Sequence, residues 1–241
     1  MLIQIDAKAL EWAACVYLSQ DMVGMDELQR LNYDMHSANM ALFNFPLRGI
    51  AKIFVFRLIY GGSAWSYAHD TDFMSVSTKI SYWQEAIDTF YEKYYGVAEW
   101  HESLMRDIPK TGIYKLPTGR EYKFALQASS YGDDVSWPRT TMLNYPVQGL
   151  SAQLMEIARI SAYKRIYGKS GVLFINTVHD NIVLDVINDD LLIHEVCVIL
   201  KKCLEDVPKN FEKIYGVQFN VPLTGKLEVG HNWSEMKEYI L

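Results

Sequence analysis

Asp6 and Asp180 are the residues of this sequence whose type and context best suit them to chemistry. Each closes a strongly β-prone run, Leu2 to Ile5 before the first and VLFINTV, residues 172–178, just before the second. If the two runs were neighbouring strands of one sheet, the acids would converge. Paired carboxylates at a sheet edge can hold two divalent cations about 3.5–4 Å apart, one activating an attacking oxygen and the other stabilising a leaving oxygen in phosphoryl transfer. Taken singly, each acid has a plainer reading: Asp6 as the cap of the following helix, Asp180 as the start of a turn.

A second constellation lies in RGIAKIFVFRLIYGG, residues 48–62. Arg48, Lys52, Phe56 and Tyr60 recur every fourth residue and so stack along one helical face, two cations followed by two aromatic rings. A triphosphate could lie along the cationic end, held by a guanidinium fork and an ammonium, while sugar and base meet the rings. The plain alternative is an ordinary amphipathic helix, but Ile50, Ile53, Phe54, Leu58 and Ile59 already supply apolar residues on the other faces. His36, one helix earlier, is a further phosphate donor in this reading; alone it would pass as a surface histidine.

The elements that must position these groups follow from periodicity and turn residues. The chain opens strand, acid, helix, with the helix spanning Lys8 to Leu18. Helices are expected over 25–33, 34–43 and 47–61, the last started by Pro46 and stopped by Gly61 and Gly62. Two more are expected over 80–107. Ile113 to Lys115 and Tyr122 to Leu126 flank Pro117-Thr118-Gly119-Arg120, a hairpin signal. A long helix from Gln148 to Tyr167 precedes a second hairpin whose turn carries His179, Asp180 and Asn181. A helix over 189–206 and a strand over 219–229 complete an α+β pattern in which a helical lobe is inserted into a sheet lobe.

Composition narrows the function. Half of the 241 residues are apolar, enough for a substantial core, and this excludes a disordered chain. No stretch has the length of a membrane span, and the N-terminus has no basic, cleavable leader, so a cytoplasmic protein is expected, in the host cell if the source is viral. Cys15, Cys197 and Cys203 lack metal-ligand spacing and read as buried thiols. The net charge of −6 argues against a generic basic nucleic-acid binder. Yet Met35 to His69 contains Arg48, Lys52 and Arg57 and no acid, while acids crowd Asp185, Asp189, Asp190, Glu195, Glu205 and Asp206. A locally positive segment in an acidic chain suits a specific anionic ligand.

These residues carry a resemblance to the C-terminal part of family A DNA polymerases, the group of bacterial DNA polymerase I and many phage replicases. Asp6-Ala7-Lys8-Ala9-Leu10-Glu11 resembles motif A, and Arg48, Lys52, Phe56, Tyr60 and Gly61 match motif B. His179-Asp180 matches the first two residues of motif C, and Asn144-Tyr145-Pro146-Val147-Gln148-Gly149 resembles the turn into a helix that contacts the primer–template minor groove. Gly119-Arg120 and Gly230-His231-Asn232-Trp233 also fit, all in the family's order; the short spacing from His36 to Arg48 is more like the phage branch.

The resemblance implies an antiparallel palm sheet with an inserted fingers subdomain: palm over 1–24, fingers over 25–107 and palm again over 108–241. It implies template-directed deoxynucleotidyl transfer to a primer 3′-hydroxyl, with two Mg²⁺ ions (Mn²⁺ can replace them) on Asp6, Asp180 and the Ala7 backbone carbonyl. Arg48, Lys52 and His36 would hold the deoxynucleoside triphosphate, and Lys52 would protonate the leaving pyrophosphate. Glu11 would exclude a ribose 2′-hydroxyl, from one and a half helical turns beyond Asp6, and Phe56 and Tyr60 would pack on the nucleotide and templating base. Gly61, Arg120, Arg139, Asn144, Gln148 and His179 would contact primer–template DNA.

Three departures qualify this resemblance. Asn181 stands where motif C usually has Glu, and Thr140 where bacterial relatives often have Arg, with Arg139 adjacent. The third is absence of a thumb and exonuclease, which the family places before motif A. The expectation is therefore one subunit of a split phage-type polymerase, completed by a separate N-terminal chain that carries the thumb, with or without an exonuclease. Without that chain, the sheet beside Leu2 to Ile5 would be unpaired. The rival reading is a non-catalytic DNA-binding or structural remnant of such a polymerase; an artificially shortened chain is the third.

Overall fold

The computed structural model describes residues 1–30, 33–128 and 134–241. In chain order these form β1 (Leu2–Ala7), α1 (Leu10–Ser19), α2 (Met22–Gln29), α3 (Met35–Phe43), α4 (Arg48–Ile59), α5 (Ala64–Ala68), α6 (Thr71–Met74), α7 (Ile80–Lys93) and α8 (Tyr95–Thr111). There follow β2 (Ile113–Lys115), β3 (Glu121–Lys123), β4 (Gln127–Ala128), β5 (Val135–Ser136), α9 (Arg139–Ile166), β6 (Val172–Val178), β7 (Asn181–Val186), α10 (Asp190–Glu205), α11 (Val207–Tyr215), β8 (Gly225–Gly230) and β9 (Lys237–Glu238). The chain is α+β, as expected. Of the expected helix over 25–33, Leu31 and Asn32 lie outside the described residues. Compact packing divides the chain into one unit of residues 1–14 with 148–241 and another of residues 15–147.

The first unit is built on an antiparallel sheet of order β6-β7-β1-β8-β9. Residues alternate along β1: Ile3, Ile5 and Ala7 are buried, while Gln4 and Asp6 are only half-buried. A strand with one dry face reads this way because successive side chains point to opposite sides. The dry face packs against α10 through residues such as Val196, Leu200 and Leu204; Leu204 and Ile5 crowd Gly225 so closely that no Cβ fits there. The expectation of an unpaired edge beside Leu2 to Ile5 is corrected here: β1 is hydrogen-bonded on both sides, to β7 and to β8, and among the described residues the sheet ends at β6 and β9.

The second unit has an aromatic core. Phe43, Phe45, Phe54, Tyr67, Phe73 and Trp83 are all buried, and their ring centroids lie 4.9–5.9 Å apart in tilted, stacked or edge-on pairs. Such rings combine large buried area with favourable quadrupole contacts. The hairpin of β2 and β3 forms around Pro117–Arg120 as the turn residues predict.

The long helix α9 begins at Arg139, nine residues before the expected start at Gln148, so Asn144 to Gly149 are helical and not a turn. Pro146 misled that expectation, since a proline removes a hydrogen bond and usually ends or kinks a helix. Here Met142, Leu143, Val147, Leu150 and Leu154 are all fully buried, and continuous burial of that face outweighs one lost bond. All three cysteines are buried with their thiol pKa values raised by desolvation, as expected for packing residues.

Candidate active site

In the first unit the β1–β7 ladder brings the two acids together. Asp6 pairs directly with Asn181, and the Ala7 amide donates to the Asp180 carbonyl at 2.9 Å. Directly paired residues of an antiparallel ladder share a face, so Asp6 and Asn181 leave the sheet on the side away from α10. Asp6 lies inside β1, three residues before the last non-helical position ahead of α1, so it does not cap that helix. Asp180 sits in the two-residue turn joining β6 to β7. His179, the other turn residue, adopts a left-handed backbone with φ +51°, a conformation rare outside glycine and typical of turns and strained functional sites.

Asn181 has a local task. Its side-chain oxygen accepts from the Val178 amide at 3.1 Å and closes the hairpin from within. Glu11 needs correction: it is the second residue of α1, beyond a strand end and a left-handed Ala9, and not one and a half helical turns from Asp6. It is half-buried in the first turn of α1.

Two groups on the open face escaped sequence reasoning. Lys226 is the direct β8 partner of Asp6, and its ammonium donates to Glu228 at 2.6 Å. Glu228 also accepts from Gln4 at 2.6 Å. The Glu228 hydrogen bond, with smaller help from the Asp6 charge, raises the Lys226 pKa; the same bond lowers that of Glu228.

The second unit assembles the cation–aromatic stripe. Arg48 and Lys52 are exposed on α4, Phe56 and Tyr60 half-buried, and the opposite face (Ala51, Phe54, Val55 and Leu58) is buried. Ile53, one of the apolar residues on the other faces of the helix, is partly exposed. The Lys52 ammonium lies 5.9 Å from the Phe56 ring centroid, and the His36 ring is 5.7 Å from the same ring, so α3 and α4 bring His36, Lys52 and Phe56 into one group. Burial, reinforced by the Arg48 charge, pushes the His36 pKa down to about 4. His36 is therefore neutral at pH 7, and its Nδ1 has no hydrogen-bond partner among the described residues. A buried ring nitrogen without a partner suits a ligand contact.

Asp34 was also missed by sequence reasoning. It caps α3 and forks onto Arg48, with Oδ2 accepting from Nε at 2.5 Å and Oδ1 from Nη2 at 3.0 Å. Several other expected DNA contacts gather around the start of α9. Gly61, at φ +90°, packs so tightly that an added Cβ would stand 3.1 Å from Leu143 and 3.5 Å from Thr140. The Arg120 guanidinium lies over the Tyr122 ring at 5.2 Å, and that ring meets Tyr145 at 6.0 Å. Arg139 is exposed at the first position of α9. Asn144 is half-buried, its Oδ1 lacking a partner among the described residues. Gln148, one turn further along the same helix, is exposed.

Among the described residues no three His, Cys, Asp or Glu side chains cluster as a metal cage. Two carboxylates with a nearby backbone carbonyl nevertheless suit Mg²⁺, which takes one or two carboxylates, keeps several waters and completes its shell with substrate phosphates.

The sequence model of DNA polymerase family A matches residues 1–235. The chain is 28% identical to DNA polymerase I of Pseudomonas aeruginosa over 97% of its own length and 25% of that protein, and 24% identical to the Lactococcus lactis enzyme over 98% and 26%. It thus spans about a quarter of these relatives. Its fold matches the polymerase domain of Pol1 from M. smegmatis, solved with DNA primer–template and dNTP, at a TM-score of 0.76 and 18% identity, covering 96% of this chain and 40% of that one. With the family model spanning nearly its whole length, this chain belongs to DNA polymerase family A.

Proposed function

We propose that this chain carries the nucleotidyl-transfer site of a DNA-directed DNA polymerase, extending a primer 3′-hydroxyl with deoxynucleoside triphosphates. The observation that carries the reading is the β1–β7 ladder, which sets the strand-end acid Asp6 beside Asp180 within a family A chain. Asp6, Asp180 and the Ala7 carbonyl are the groups that would hold Mg²⁺. Bound there, divalent cations would supply Lewis acidity to the attacking hydroxyl and charge neutralisation to the leaving phosphate.

The protein's own groups do the rest. Arg48 offers a guanidinium fork and Lys52 a point charge to the triphosphate, and neutral His36 adds an uncharged N–H donor. Lys52 hands a proton to the departing pyrophosphate, the general-acid role open to an ammonium within reach of the leaving oxygen. Phe56 lies against the sugar and Tyr60 against the templating base, while Glu11 blocks a 2′-hydroxyl. Gly61, Arg120, Arg139, Asn144, Gln148 and His179 position the primer–template terminus, through exposed cations for phosphates and amides for the minor groove.

We further propose that a separate polypeptide supplies the thumb and the remaining palm, and that palm and fingers divide as the sequence indicates. Asn181 favours the rival reading, a non-catalytic DNA-binding remnant, since it removes a carboxylate near Asp180. Its turn-closing bond to Val178 gives it another task.

Primer extension with Mg²⁺ by this chain, by the upstream polymerase half and by their mixture, alongside size-exclusion chromatography, tests these proposals. Extension by the mixture only, from a stable complex, is expected. Processive synthesis by this chain alone would overturn the split arrangement, and DNA binding without extension in the complete complex would establish the remnant.

A further inference from the structure

Arg48 occupies an unfavourable position. It is the first residue of α4, whose N-cap, Leu47, provides no side-chain bond, so a cation stands at the positive end of a helix dipole. Left to itself, such a side chain would swing into solvent with its full rotamer freedom. Asp34 prevents this. Its carboxylate takes the Nε–Nη2 edge of the guanidinium at 2.5 and 3.0 Å, and leaves Nη1 and the second Nη2 hydrogen without protein partners among the described residues.

The same carboxylate also organises the turn that carries His36. Asp34 Oδ1 accepts from the His36 amide at 3.1 Å and the Ser37 amide at 3.4 Å, and Oδ2 accepts from the Ser37 hydroxyl at 2.8 Å. One side chain thus ties the N-terminal turn of α3 to the first residue of α4. Its bonds to Arg48, the largest of several causes, hold the Asp34 carboxyl well below the usual carboxylate range, so the link persists at any working pH.

We propose that Asp34 is the positioning residue of the triphosphate site: it holds one edge of the Arg48 guanidinium so that the other edge is presented to phosphate oxygens, beside His36. The proposal rests on the polymerase reading of Arg48. A carboxylate near a phosphate site also repels the ligand. That repulsion is weak here, because the pair is about half exposed, the Asp34 charge is shared with the fork that it binds, and salt screens what is left. Presenting a fixed fork, by contrast, removes the ordering cost from the binding step.

The test is Asp34→Ser, which keeps an oxygen to cap α3 but is too short to reach Arg48. Thermal unfolding monitored by circular dichroism confirms that the variant folds, and Asp34→Asn, which preserves size and cap, serves as the second variant. In the complete polymerase, Asp34→Ser is expected to raise the dNTP KM about tenfold with kcat changed less than about twofold, and Asp34→Asn to fall between it and the parent. Calorimetric titration of the full chain with inorganic triphosphate, without DNA, should show the same tenfold loss. On an Arg48→Ala background the Asp34 substitution should add nothing, because the two residues act as one unit. Unchanged or tighter triphosphate binding by Asp34→Ser, an equal further loss in the Arg48→Ala background, or no triphosphate binding by the parent chain would overturn the proposal. Failure of the parent complex to extend a primer, with triphosphate binding and its Asp34 dependence intact, would strike the polymerase reading alone.

Discussion

Lys226 stands directly opposite Asp6 in the β1–β8 ladder, so a cation and the strand-end carboxylate leave the sheet on one face. The ammonium donates to Glu228 at 2.6 Å, and the Asp6 charge also helps to raise its pKa. A lysine beside a proposed divalent-cation site competes electrostatically with the metal.

Lys226→Met is accordingly expected to lower the Mg²⁺ or Mn²⁺ concentration needed for half-maximal primer extension by about threefold to fivefold, as expected for removal of one screened neighbouring charge. Manganese binding followed by electron paramagnetic resonance checks the affinity without turnover. A higher metal requirement would show instead that Lys226 orients the carboxylates.

Asp6→Asn and Asp180→Asn, each in the complete polymerase, should reduce primer extension by about a thousandfold or more and leave primer–template affinity within about twofold. Carboxylates that hold metal act on the transition state, whereas DNA affinity comes mainly from phosphate contacts. Single-turnover extension and fluorescence anisotropy with labelled duplex provide the two readouts, and near-normal extension by either variant would remove that acid from the site.

Residues of the nucleotide pocket predict two selectivity changes. Glu11→Ala should increase ribonucleotide incorporation relative to deoxyribonucleotide by about tenfold or more, because shortening a half-buried side chain opens the space that a 2′-hydroxyl needs. Phe56→Tyr should relax discrimination against dideoxynucleotides, since a phenol can donate a hydrogen bond where the missing 3′-hydroxyl leaves none and a phenyl ring cannot. Competition assays with paired nucleotides measure both ratios.

Acid should destabilise the chain well above the carboxylate range. Burial lowers the His36 pKa to about 4 and the His101 pKa to about 3, whereas the unfolded chain titrates each near 6.5. Between those limits the unfolded state binds more protons, so stability is present above pH 6.5 and is lost as pH falls towards 4. For each imidazole the loss by pH 5 is about 2 kcal/mol at most. Denaturant midpoints at pH 7 and pH 5 should show the loss, and NMR titration should find both rings still neutral at pH 5.5.

The α4 stripe was fully legible in the amino-acid order. Arg48, Lys52, Phe56 and Tyr60 need only helical spacing to share a face, and that spacing is local. The hairpin that presents His179 and Asp180 was legible for the same reason, since β-prone runs and a short polar turn lie within fifteen consecutive residues. Other features required contacts that no local pattern specifies. Strand order put β1 in the middle of its sheet and not at an edge, because ladder partners are chosen by burial of whole faces across nearly the full chain length. Burial of one apolar face carried α9 through Pro146. Register, which fixes which side chains share a face, set Lys226 opposite Asp6 from 220 residues away. Tertiary packing of α3 against α4 joined Asp34 to Arg48. The sequence alone thus determined which chemical groups each element displays, a matter of short-range periodicity. Only the tertiary structure decided which of them meet, because long-range hydrogen bonding and the exclusion of water from shared faces select the partners.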